Sequence, residues 1–173
     1  MYKLKIPTYV RALCDNRYFI NGNGKKKYGF LFWSDGPGTG KTLLALSILN
    51  SLCVDFKTCG RYENTTFLWN TLKKFFNIDK KEKYFSELHY LDMLVWANVL
   101  VIDDIGSEKV SDWIVEQLYF IFEGRNVENK NTIITFNGTI DNLARKIGDK
   151  IVSRMLEYNE LIEFDEKEDW RQK

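Results

Sequence analysis

One histidine, His89, and three cysteines, Cys14, Cys53 and Cys59, are the whole stock of soft metal ligands in this 173-residue chain. An odd cysteine count with no C-x-x-C spacing argues against a zinc site and against a disulfide framework. An excess of charge is missing too, since 25 Lys and Arg face 24 Asp and Glu, so no overall field draws the chain to nucleic acid. No apolar run approaches the roughly eighteen residues of a membrane span, and no signal-peptide core is present. The sequence thus reads as a soluble, cytoplasmic protein with no membrane contact. Internal repeats and low-complexity stretches are absent as well. At this length one domain with a full core is expected.

The charge that is there is unevenly spread. Residues 1–30 carry seven Lys or Arg against one acid, and residues 155–173 carry seven acids against three bases. The run Lys25-Lys26-Lys27 fits a phosphate contact and fits equally a solvated turn. The same two readings apply to Lys109, Arg125 and Lys130.

The densest information lies in Asp35-Gly36-Pro37-Gly38-Thr39-Gly40-Lys41-Thr42, between the apolar run Tyr28 to Trp33 and the leucine-rich stretch Leu43 to Leu52. A strand, a glycine loop and a helix are predicted to meet there. That order suits phosphate, because successive backbone N–H groups curl around the anion and the new helix aims its positive dipole end at it. The candidate nucleotide cradle is Gly36, Pro37, Gly38, Thr39, Gly40, Lys41, Thr42 and Leu43, with Lys41 reaching the β- and γ-phosphates and the Thr42 hydroxyl ligating Mg²⁺. One position departs from G-x-x-x-x-G-K-[ST]: Asp35 stands where the first glycine belongs. A carboxylate there weakens nucleotide binding unless it points outward.

Elements alternate along the rest of the chain. Residues 1–27 form a short basic segment with a helical patch around Tyr9 to Tyr18 and a turn at Asn21-Gly22-Asn23-Gly24. From residue 28 onward one P-loop domain is expected. Its first helix should bury Leu44, Ile48 and Leu52, with Leu46 and Leu49 widening the stripe. Thr65 to Trp69 reads as a second strand. Asn70 to Phe76 and Ser86 to Leu94 read as helices separated by a charged turn, Asp79 to Lys83. Val99 to Ile102 are four aliphatics ending in Asp103-Asp104, the pattern of a parallel strand buried on both faces. Ser111 or Asp112 caps a helix to about Glu123 that buries Ile114, Leu118, Ile121 and Phe122. Thr132 to Phe136 is a fourth strand, and Thr139 caps a helix that Gly148 breaks. Another helix covers Lys150 to Tyr158 and a last strand Leu161 to Phe164. The fold class predicted is α/β, a five-stranded parallel sheet flanked by helices with right-handed crossovers, and no C-terminal helical lid.

In such sheets ligands gather at the carboxyl ends of strands. Three of those ends are polar: the glycine loop, Asp103-Asp104 and Asn137. Asp103 is the candidate Mg²⁺-holding acid, and Asp104 is placed to polarise an attacking water. Asn137 fits a water-orienting amide and fits an ordinary Asn-Gly turn. Spacing alone promotes neither Arg154 nor Arg171.

Taken together, these pieces resemble the AAA+ helicase-loader family, the DnaC and DnaI proteins with the related IstB transposition ATPases. The resemblance runs from about Tyr28 to Arg171. It is most specific over Val99 to Trp113, VLVIDDIGSEKVSDW, followed by Glu116-Gln117-Leu118-Tyr119. Thr132 to Asn137, TIITFN, is similar to the family's sensor I strand and makes Asn137 the sensor residue, although Phe136 replaces a smaller side chain. Gly148 to Met155, GDKIVSRM, resembles the segment bearing the arginine finger and gives that role to Arg154. Glu168-Asp169-Trp170-Arg171 resembles sensor II and gives that role to Arg171. The family's separate amino-terminal helicase-gripping domain has no counterpart in residues 1–27, leaving either a reduced contact element or a cut parent.

The resemblance implies an ATP-binding, ATP-hydrolysing replication protein that loads a replicative DNA helicase. It implies ATP and Mg²⁺ as ligands, single-stranded DNA as a partner, and a nucleotide-dependent homo-oligomer in which Arg154 acts in trans. Asp104, one methylene shorter than the glutamate of many relatives, points to slow turnover. Three other readings stay open at this level: a transposition helper, a small P-loop kinase, and a nucleotide-binding adaptor with little catalysis.

Overall fold

In the computed structural model, which describes residues 6–16, 18–75, 80–107 and 110–164, the first element is helix α1 (Ile6–Asn16). A two-stranded antiparallel ribbon follows, β1 (Phe19–Ile20) and β2 (Lys26–Lys27). The predicted turn joins the two strands. The Asn21 carboxamide oxygen accepts from the backbone N–H of Asn23 at 3.1 Å and of Lys25 at 2.9 Å, the local side-chain bonding that suits Asn to turns. Val10, Leu13 and Phe19 are buried in the main core. The basic run is not uniformly solvated, because the Lys27 ammonium donates to the carbonyls of Leu156 at 2.6 Å and Glu157 at 3.0 Å. Burial lowers its pKa.

The central sheet holds β3 (Gly29–Ser34), β4 (Gly60–Asn64), β5 (Val99–Ile105), β6 (Asn131–Asn137) and β7 (Asn159–Glu163), all parallel, in the order β4-β5-β6-β3-β7. The helices between them are α2 (Lys41–Val54), α3 (Thr65–Lys74), α4 (Lys80–Trp96), α5 (Asp112–Val127), α6 (Ile140–Ile147) and α7 (Asp149–Tyr158). Successive strand residues face opposite sides, which divides the core in two. Leu31, Leu100, Ile102, Ile134 and Phe136 pack with Leu68, Leu94, Leu118, Ile147 and Ile151. Phe30, Phe32, Val99, Val101 and Ile133 pack under α1 and α2 with Leu13, Ile48 and Leu52. Fully burying such a side chain stabilises by roughly 1.5–3 kcal/mol. The sheet closes tightly at Gly29, where a Cβ would stand 1.7 Å from the Thr132 carbonyl oxygen. Only glycine fits there. Among the described residues no helical unit follows β7.

Several predictions of local structure shift. Thr65 to Trp69 is the start of α3, not a strand, because the Asn64 side chain caps the helix by accepting from Thr66 N–H at 3.1 Å. Thr65, Leu68, Trp69 and Leu72 then share its buried face. The second strand is the preceding polar segment Gly60–Asn64. The charged turn disappears as well, since residues 80–83 already belong to α4, while Asp79 lies outside the described residues. On α2 the buried face is Ala45, Ile48, Leu49 and Leu52, and Leu46 points outward. The α5 face is as expected, capped by Ser111.

Arg125 departs most from its reading as a phosphate contact or surface charge. It is wholly buried and donates to the carbonyls of Leu94 at 2.6 Å, Val95 at 3.2 Å, Ala97 at 2.8 Å and Asn131, and to Thr132 Oγ1 at 2.9 Å. Burial pulls its pKa down to about 9, so it stays charged at neutral pH. Lys130 bonds Asn98 Oδ1 at 3.2 Å and lies over the Trp96 ring, and Lys109 is outside the described residues.

Candidate nucleotide site

The loop between β3 and α2 needs backbone angles that only glycine takes freely. Gly38 has φ 78° and Gly40, at the N-cap of α2, has φ 89°. No side chain caps α2, so the helix presents its first N–H groups to the loop. The Lys41 ammonium lies buried inside the loop and donates to the Gly36 carbonyl and Thr39 Oγ1, each at 3.1 Å, and to Ser34 Oγ. Pro37, Thr42 and Leu43 are exposed on the same turn. Asp35 is also exposed.

The strand order brings the acids to this loop. β6 lies between β3 and β5, with Ser34 in register with Asn137. Alternation places Ser34, Thr135 and Asp103 on the face that α2 covers. There the Thr42 hydroxyl donates to Asp103 Oδ1 at 2.8 Å. Thr135 donates to the same oxygen at 2.7 Å, and Tyr62 donates to Oδ2 at 2.9 Å. Asp103 is 4% exposed. Burial and the bond to Asp103 push the Tyr62 phenol up to about 12.

A β-bulge falls at the two acids. Ile102 pairs with Ile134 and Ile105 with Phe136, so Asp103 and Asp104 together oppose Thr135. Bulges of this kind re-aim side chains. Asp104 takes φ 62°, a left-handed conformation costing about 1–2 kcal/mol outside glycine. Its N–H donates to Thr135 Oγ1 at 2.8 Å, and its Oδ1 accepts from Asn137 Nδ2 at 2.6 Å.

Hard oxygen donors from Thr42 and Asp103 suit Mg²⁺, which binds through one or two protein oxygens plus phosphate and water. Among the described residues no group of three or more His, Cys, Asp or Glu could hold a metal by itself.

Comparison with known proteins bears on what this constellation belongs to. The replicative helicase loader DnaC of Escherichia coli K12 is 25% identical over 154 residues, covering 89% of this chain and 60% of that protein. A crystal structure of the DnaC helicase loader matches with TM-score 0.71 and 32% identity, over 90% of this chain and 86% of that one. The chain belongs to the DnaC helicase-loader family of AAA+ proteins. It spans about 60% of the length of the curated DnaC relatives it matches. The AAA+ fold is shared more widely: a replication initiator DnaA bound to AMPPCP and single-stranded DNA matches with TM-score 0.71 at 18% identity, over 92% of this chain and 45% of that one. No family model matches the chain.

Not every DnaC-type position joins the cluster. Arg154 sits half-exposed on α7, paired with Glu157 at 3.0 Å and Glu123 at 3.3 Å. The hydrogen bond that Arg154 donates to Glu157 and the charge of Glu123 push its pKa up. Arg171 lies outside the described residues. Sequence reasoning missed Tyr62, Thr135 and Ser34. Thr135 carried a readable signal, a hydroxyl between the apolar Ile134 and Phe136, two residues before Asn137. Tyr62 carried none, because its strand has no apolar alternation.

No described helix is long and apolar enough to cross a membrane.

Proposed function

We propose that this DnaC-family chain binds and hydrolyses ATP and acts in DNA replication as a cytoplasmic loader of a replicative helicase, with single-stranded DNA as a second partner. The observation that carries the reading is the meeting of Thr42 with Asp103 at 2.8 Å, beside the buried Lys41. Lys41 and the α2 N–H groups bind the phosphates. Thr42 and Asp103 hold Mg²⁺, whose charge, when bound, offsets that of the β- and γ-phosphoryl oxygens. Asp104 accepts the proton of the attacking water, and Asn137, bonded to Asp104, fixes the carboxylate that does so. Arg154, freed from Glu123 and Glu157, reaches the nucleotide of a neighbouring copy in a homo-oligomer, and Arg171 contacts the nucleotide as sensor II. Family membership supports both roles.

The test is ATP hydrolysis by the wild type and by Lys41→Ala, with and without single-stranded DNA and a replicative helicase. Hydrolysis stimulated by either partner and lost in Lys41→Ala is expected. Phosphate transfer to a small acceptor would make the protein a kinase, and a wild type without nucleotide affinity would make it an adaptor.

A further inference from the structure

The two oxygens of Asp103 are served differently. Oδ1 accepts from Thr42 and Thr135, and Oδ2 accepts from the Tyr62 phenol at 2.9 Å. The donors come from three elements: α2, β6 and the outer strand β4. Asn64 is the β4 residue in register with Asp103, and Tyr62, opposite Val101, lies two residues earlier on the same face. An aromatic side chain is long enough to cover that diagonal, and a short hydroxyl at the same position is not.

Burial does not explain a tyrosine here. The residue is 37% exposed, so the ring contributes only part of its apolar area. What the position does contribute is an O–H aimed at a carboxylate that is itself almost wholly buried. A carboxylate has about four acceptor sites. When Thr42 turns to a metal, Thr135 on Oδ1 and Tyr62 on Oδ2 still hold the carboxylate plane from two neighbouring strands. One lone-pair direction on each oxygen then remains for the hydration water through which Mg²⁺ is usually held. Without the phenol, Oδ2 loses its donor and the carboxylate can rotate about χ2.

We propose that Tyr62 is a positioning residue that orients the Asp103 carboxylate for magnesium. The role rests on the nucleotide reading above and acts through Asp103, with no contact to the reacting phosphate.

Tyr62→Phe removes the hydroxyl and keeps the ring. Affinity for a fluorescent ATP analogue is titrated against magnesium concentration for the wild type and Tyr62→Phe, alongside thermal unfolding of both. The expected result is an upward shift of the magnesium midpoint by about tenfold, the scale on which an outer partner of a ligand acts. Affinity without magnesium should change less than about twofold, because that binding runs through Lys41 and the loop. A midpoint unchanged in Tyr62→Phe overturns the role of Tyr62 and leaves the ATPase reading standing. Equal losses with and without magnesium overturn it too, since they mark a structural role. A wild type that binds no nucleotide at any magnesium concentration overturns both readings.

Discussion

Thr42 Oγ1 and Asp103 Oδ1 stand 2.8 Å apart although 61 positions separate them in the chain. Their meeting depends on β6 lying between β3 and β5, and on the two-residue alternation that turns Asp103 toward α2. The neighbouring acid, Asp104, would face the opposite side of a regular strand; at the bulge it bonds Asn137 instead.

That division of labour predicts unequal effects at Asn137, whose amide donates to Asp104 at 2.6 Å. Asn137→Ala should slow ATP hydrolysis about tenfold, and Asn137→Asp about a hundredfold, because a second carboxylate at that distance repels the first. Nucleotide affinity should change less than about threefold in both, as measured by calorimetry. A large affinity loss with unchanged turnover would contradict the assignment.

Asp35 is exposed, so its charge acts on a bound triphosphate through solvent. Asp35→Gly should tighten ATP binding about two- to threefold at low salt and hardly at all near 0.3 M, where screening removes the difference. A salt-independent gain would mean that the carboxylate touches the nucleotide.

For Arg125→Leu the expected loss is about 3–4 kcal/mol of stability in urea unfolding, because four buried carbonyls lose their shared donor. Nucleotide affinity of the folded fraction should not change. A loss below about 1 kcal/mol would show that the carbonyls find other partners.

Tyr62, through its partial burial and its bond to Asp103, and Tyr90, chiefly through burial, are both pushed up to about 12 from 10.0. The folded chain keeps these protons after the unfolded chain has released them, so their contribution is whole below pH 10 and fades as pH climbs toward 12. Stability in urea should fall over that window, and less steeply in Tyr62→Phe than in the wild type. Equal slopes would remove Tyr62 from the account.

Much of this arrangement was legible in the chain. Gly36 to Thr42 marked the loop, and four aliphatics before Asp103 marked the acid strand, because buried parallel strands tolerate little else. Outer strand β4 escaped notice since Gly60-Arg61-Tyr62-Glu63-Asn64 has no apolar period. The β-prone string after it was drawn into a helix by its Asn64 cap. Arg125 misled in the opposite sense: its charge suggested solvent, whereas a ring of backbone carbonyls holds it inside. The bulge at Asp104 has no marker in composition, because a left-handed aspartate is specified by what it bonds to.

The polar make-up of β4 also governs how copies of the chain can meet. Among the described residues β4 has no strand beyond it, and its Arg61 and Glu63 are ions, paired with each other at 2.7 Å, that a strand added there would have to dehydrate. Sheet-to-sheet fusion is thereby discouraged. Any self-association would then be left to surfaces made of side chains, where contacts can be broken again as easily as they form.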